Sequence, residues 1–198
     1  PQHFDLEETT LLEGPMKTAM ETNNRLLLEY DTERLLAPFI RQAGLHNVAG
    51  GKYSGWLDRH PSFSNWGLSS WSLEGHVGGH YLTALALAYA ATDDESVKSQ
   101  MKSRLDYMLG VMKDCQDAYT DSNNGMKGFI GGQPINQIWT GLYSGNLSPF
   151  KQYGGWVPFY CTHKILAGLR DAWIYTDSEV ARDLFKGLCD WSVTLISN

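Results

Sequence analysis

The sequence predicts an all-α protein built from repeated helical hairpins, and three observations carry that expectation. Apolar residues recur with helical spacing wherever they recur at all, and no run of alternating strand residues lies between turn signals. One pattern of glycine and aromatic loop, mostly apolar helix and amphipathic helix occurs twice, at a constant offset of 84 residues (173 − 89 = 84): Tyr89 matches Trp173, Thr92 matches Thr176, Glu95 matches Glu179 and Lys102 matches Lys186. Buried inner helices alternating with amphipathic outer ones suggest an α/α toroid or solenoid, in which neighbouring hairpins cover each other's faces.

The elements follow in order. Pro15 to Tyr30 and Thr32 to Ala43 form a first helix pair, the second opened by Asp31 or Thr32 and closed near Gly44. Residues 50 to 71, GGKYSGWLDRHPSFSNWGLSSW, have no period and are expected to be a long loop. Residues 74 to 91, EGHVGGHYLTALALAYAA, are apolar nearly all the way round, which describes an inner helix buried on most sides. Thr92-Asp93-Asp94-Glu95 has the spacing of a capping box and starts a helix near residue 93, with Val97, Met101, Leu105, Leu109 and Met112 on one stripe and Lys98, Lys102 and Arg104 off it. Residues 119 to 157 form a second aperiodic segment rich in glycine, aromatics and amides. HKILAGLRDAWIY is then a second inner helix, Thr176-Asp177-Ser178-Glu179 a second capping box, and Leu184, Leu188, Trp191 and Leu195 the stripe of a second outer helix.

The 198 residues fit one domain, with 42% hydrophobic residues to build its core. A net charge of -6 without a Lys/Arg cluster argues against nucleic-acid and membrane-surface partners, since phosphate binding needs concentrated positive charge. No apolar run is long enough to span a bilayer. Cys115, Cys161 and Cys189 form no CxxC pair and are odd in number, so they support neither a disulfide framework nor a zinc ribbon.

His76 and His80 share one helix face, four residues apart, and His163 opens the second inner helix within one residue of the position matching His80 (163 − 80 = 83). All three follow long loops, and in a toroid the inner-helix ends line one mouth of the cavity. They suit a ligand; His76 and His80 also have a usable zinc spacing, although no HExxH glutamate and no third ligand accompany them. Backbone or carboxylate partners would satisfy the same two histidines equally well.

Around them, the loops hold Trp56, Trp66, Trp71, Trp139, Tyr143, Tyr153 and Trp156, with Gln133, Asn136 and Gln137 among them. Aromatic faces pack on the C–H faces of sugars while amides and imidazoles take the hydroxyls, so as a set these residues favour a carbohydrate, though each single aromatic could simply anchor a loop. A glycosidase needs an acid and a second carboxylate or other nucleophile. Glu74, Asp58 and Asp171 are candidates by position, and Cys161 is better read as a small buried hydrophobe.

The runs YSGW, GHVGGHYLTALALAYAATDD, RLDYMLGVMKDCQDA and VPFYCTHKILAGLRDAW, together with LLEGPMKTAMETNNRLLLEYDTERLLAPFIRQAGL, resemble the N-terminal part of glycoside hydrolase family 127, the β-L-arabinofuranosidase group. The resemblance spans nearly the whole chain. It implies an (α/α)6 toroid of which these residues are one part, and a secreted or periplasmic retaining enzyme acting on arabinose-containing glycans. His163, in the motif Tyr160-x-x-His163-Lys164-Ile165, matches a sugar-binding histidine of the −1 subsite, and the GHxxGH histidines stand where the family places another, with His76 favoured. The substrate-binding set expected is thus His76, His80, His163, Trp56, Trp156 and Tyr160.

The resemblance also implies a zinc-bound cysteine nucleophile and a glutamate acid/base in the later half of the toroid. No catalytic residue and no metal ligand is therefore expected within these residues. The chain alone is expected to be inactive, with a toroid edge that a homodimer or domain exchange could cover. The rival reading is a helical-repeat module that holds glycan without cleaving it.

Overall fold

The computed structural model describes residues 4–63, 73–122, 125–133, 136–152 and 157–197. Among them there is no strand. The helices are α1 (Pro15–Glu29), α2 (Thr32–Gln42), α3 (Trp56–Arg59), α4 (His76–Ala91), α5 (Glu95–Asp117), α6 (Asn136–Tyr143), α7 (Ser148–Gln152), α8 (Pro158–Thr176) and α9 (Glu179–Ile196).

Asp31 caps α2 by accepting from the Arg34 amide at 3.1 Å, and Gly44 follows the helix in the left-handed conformation, as the sequence implied. The first capping box works differently from its spacing. Asp94 is the cap of α5, accepting from the amides of Ser96 and Val97 at 2.9 and 3.1 Å, while Thr92 Oγ1 accepts from the Asp94 amide at 3.3 Å. In the second, Thr176 is still helical and Ser178 caps α9, accepting from the Ala181 amide at 3.3 Å. Asp and Ser are each strong caps, and each helix starts at the cap nearest its first buried turn.

α4 is the central element. It packs on α8, α5, α2 and α1 and buries Leu82, Leu85 and Ala86 completely. From α5, Met101, Leu105, Met108 and Met112 meet it, and Leu36, Phe39 and Ile40 of α2 complete that side of the core. α9 buries Leu184, Leu188 and Trp191, the expected stripe. α1 is tied down at its C-terminal end: Tyr81 donates to the Leu27 carbonyl at 2.5 Å, and Arg104 donates to the carbonyls of Leu28 and Tyr30. Those carbonyls have no partner within their own helix, and the cation also suits the negative end of the helix dipole.

The two segments expected to be loops contain short helices. α6 and α7 lie within 119–157, and Ile138, Trp139, Leu142 and Tyr143 have helical spacing that the surrounding glycines and amides obscured. Trp139 is buried, with its ring 5.2 Å from Trp191 and 6.2 Å from Phe129, so tertiary packing holds a helix of only 8 residues. Buried Gln116 donates to the carbonyls of Gly128 and Leu184 at 2.8 and 3.0 Å, joining α5, this segment and α9.

Candidate functional site

The glycines in the first turns of α4 position the site. Gly75 caps the helix with φ 92°, a conformation that costs glycine no steric strain, and its Cα faces the backbone of Gly132. A Cβ on Gly78 would lie 2.8 Å from the Phe39 ring. A Cβ on Gly79 would lie 2.3 Å from the Lys164 carbonyl oxygen, and one on Gly168 would lie 2.3 Å from the Gly79 oxygen. The α4 and α8 backbones therefore touch, an approach open only to glycine. Side chains flanking the crossing are drawn together as a result.

Those side chains are His76 and His80 from α4, and Tyr160, His163 and Lys164 from α8. The rings of His76 and His80 meet edge to face with centroids 5.9 Å apart, and the Tyr160 ring also lies 5.9 Å from His76. Lys164 Nζ sits 5.1 Å from the Tyr160 ring centroid, a cation–π arrangement. His80, His163 and Tyr160 are exposed and His76 is half-buried. The His76 Nδ1–H donates to the Leu73 carbonyl, which leaves Nε2 as the acceptor of the neutral ring. Partial burial, then the charge of Lys164 and the neighbouring histidines, hold His80 below the ordinary imidazole value. His80 therefore favours its neutral form, able both to donate and to accept a hydrogen bond.

The remaining predicted residues divide. Trp56 stands apart from the cluster: it is 8% exposed, its indole N–H donates to the Glu33 carbonyl at 3.1 Å, and Tyr53 and His60 lie against its ring. In YSGW, Tyr53 donates to Asp114 at 2.5 Å, so the motif pins α3 to α2 and α5 and presents no open face to a sugar. Trp156, Tyr153, Trp66 and Trp71 lie outside the described residues. Trp139 belongs to the core.

The candidate carboxylates are occupied or remote. Glu74 is buried and paired in two-pronged fashion with Arg41, whose Nη1 lies 3.2 Å from Oε1. Arg41 also donates to the Gly132 carbonyl, so this pair anchors the start of α4 to the end of α2 and to the Gly132 segment. Asp171 accepts from Thr83 at 2.9 Å and pairs with Arg170, binding α8 to α4 two turns beyond His163. Asp58 is exposed on α3. Lys164 was not singled out from the sequence, whereas three glycines at the start of α4, Gly75, Gly78 and Gly79, implied close approach or an open surface there, and the backbone contact at Gly79 is that close approach. The signal for the crossing was the glycine pair in an otherwise apolar helix.

The zinc that the resemblance implies is expected at residues of the later half of the toroid, not at these. Among the described residues no three His, Cys, Asp or Glu side chains converge as a metal-ligand set. Burial pushes the Cys115 and Cys161 thiols up to about 12, which disfavours the thiolate that binds zinc or attacks a sugar. What the cluster can do is exchange hydrogen bonds with hydroxyls through three imidazoles and an ammonium, beside an exposed phenol ring.

Compared with known proteins, the chain matches the family model described as Beta-L-arabinofuranosidase, GH127 catalytic domain, over residues 8–198. No curated protein matches it.

Proposed function

Because the chain belongs to the GH127 catalytic-domain family of β-L-arabinofuranosidases, a family of glycoside hydrolases, we propose that its α4–α8 crossing supplies one wall of the subsite that holds the sugar to be released. The observation that carries this is the convergence of the His76, His80 and Tyr160 rings beside the backbone contact at Gly79 and Gly168, with His163 exposed on the same helix as Tyr160 and near enough for its charge to act on His80. His76 Nε2 and neutral His80 would take sugar hydroxyls, His163 and Lys164 would add donors, and Tyr160 would meet the C–H face. The substrate class is arabinose-containing glycan. The nucleophile, acid/base and zinc of the reaction would come from residues other than these, and the enzyme would work outside the cytoplasm, where such polymers occur.

The test uses the full product of the gene and p-nitrophenyl β-L-arabinofuranoside. His163→Ala and His76→Ala should each lower kcat/KM about tenfold or more, the cost of losing one or two hydrogen bonds in the transition state. Unchanged kcat/KM in both variants would remove the histidines from the subsite. A second reading, glycan binding without cleavage, is favoured by the engagement of Glu74 and Asp171 in pairs. It predicts saturable arabinose binding with no hydrolysis by the full product.

A further inference from the structure

A second cleft lies at the opposite end of α4 from the histidines. α4 is 16 residues long, about 24 Å at the helical rise, so the two regions are well separated. The cleft, about 490 Å3 in volume, runs between one face of α1 and the turn joining α4 to α5. That is within the usual range for small-ligand sites. Lys17, Met20, Glu21 and Asn24 fall on one stripe of α1 and form one wall, and Asp93 and Val97 form the other.

Asn24 is 4% exposed, and its side-chain Oδ1 is buried with no hydrogen-bond partner among the described residues. A buried acceptor of this kind calls for a donor from outside the chain, whether water or ligand. The walls offer more unused capacity. Glu21 is exposed on the cleft, and among the described residues Asp93 accepts a single long contact, 3.5 Å from Thr10. Arg25 adds a donor beside them, Lys17 adds the ammonium protons left over from its ion pair with Glu13 at 2.5 Å, and Met20 and Val97 add apolar surface.

We propose that this cleft is a second carbohydrate site, holding one ring of a neutral sugar independently of the histidine cluster. A hydroxyl both donates and accepts, so vicinal hydroxyls match alternating carboxylate, amide and cationic groups, while C–H faces match Met20 and Val97. An anion would meet Glu21 and Asp93. A metal ion would find no set of three ligands there among the described residues. The site needs no role for His76, His80 or His163.

The experiment titrates L-arabinose into the 198-residue chain carrying His76→Ala, His80→Ala and His163→Ala, which removes all three imidazoles of the first site, and follows backbone amide resonances. Saturable shifts of Glu21, Asn24 and Asp93, with a Kd of about 1–10 mM as befits one small sugar, are expected. Asn24→Leu should weaken binding about fivefold or more. Should that variant not fold, Glu21→Gln, a change at an exposed position, should still weaken it about threefold. No shift at these residues up to about 100 mM arabinose, an equal response to tetramethylammonium, or an affinity indifferent to Glu21→Gln would each overturn the proposal. Shifts confined to the histidines of the unmodified chain would overturn it while leaving the first site standing.

Discussion

In the hairpin α4–α5 the inner helix begins at Gly75, with φ 92°, and its first turn is half glycine; in α8–α9 it begins at Val157, also left-handed with φ 42°, followed by Pro158. The outer helices agree closely. Their caps, Asp94 and Ser178, fall at the repeat offset (178 − 94 = 84), and each carries one buried apolar stripe. The inner helices do not agree. At the same offset Gly79 falls on His163 (163 − 79 = 84), His80 on Lys164, and Ala84 on Gly168. The outer helix and its cap therefore preserve the architecture, whereas the candidate site occupies the positions where the two copies differ. Each copy contributes a glycine that lets the other's backbone approach, and each contributes histidine beside that contact.

Breaking the contact should have the largest effect. Gly79→Ala drives a Cβ into the Lys164 carbonyl, where neither backbone can yield, and should cost about 3 kcal/mol or more, or roughly 10 °C in Tm for a chain of this size. Gly110→Ala is the control within the same hairpin. Nothing lies within 4 Å of the added methyl on α5, so that change should stabilise by about 0.5–1 kcal/mol.

Arg41→Met removes the cation paired with the buried Glu74 carboxylate and should destabilise by about 3 kcal/mol, the order of cost for breaking a buried ion pair. Chemical denaturation measures it, with Cm falling at constant m. The caps sharpen the comparison from the other side: Asp94→Ala and Ser178→Ala should each cost about 1 kcal/mol, and costs that differ severalfold would mean the outer helices are not equivalent units.

The smallest effect is electrostatic. Because the folded state holds His80 below its ordinary value of 6.5, the unfolded chain binds the proton more readily. Its contribution is fully present above about pH 6.5 and is lost as pH falls through the depressed folded value. Lys164→Met should move the His80 NMR titration midpoint upward, toward 6.5. A downward move would mean that Lys164 is not the cation His80 senses.

Much of this was legible in the sequence. The all-α fold, the 84-residue repeat, the stripes of α5 and α9 and the grouping of histidines at the inner-helix starts follow from spacing alone. The caps were misplaced by two residues because Thr92 and Asp94 are both good cap formers, and spacing does not say which one faces the amides. Trp56 was expected at a sugar and is found in the core, because an aromatic beside glycines has the same sequence signature in either role. The ion pair of Arg41 with Glu74, 33 residues apart, has no local signal at all. Arg104, off the apolar stripe and thus a solvent charge by pattern, reaches the end of α1 because long side chains cover distances that periodicity ignores.

The central claim, that the α4–α8 crossing assembles one sugar-binding patch, is tested most directly by following the imidazole C–H resonances of His76, His80 and His163 during an L-arabinose titration of the unmodified chain. The account predicts that all three move along a single binding curve. It is contradicted if they stay still while arabinose binds elsewhere, or if they follow separate curves.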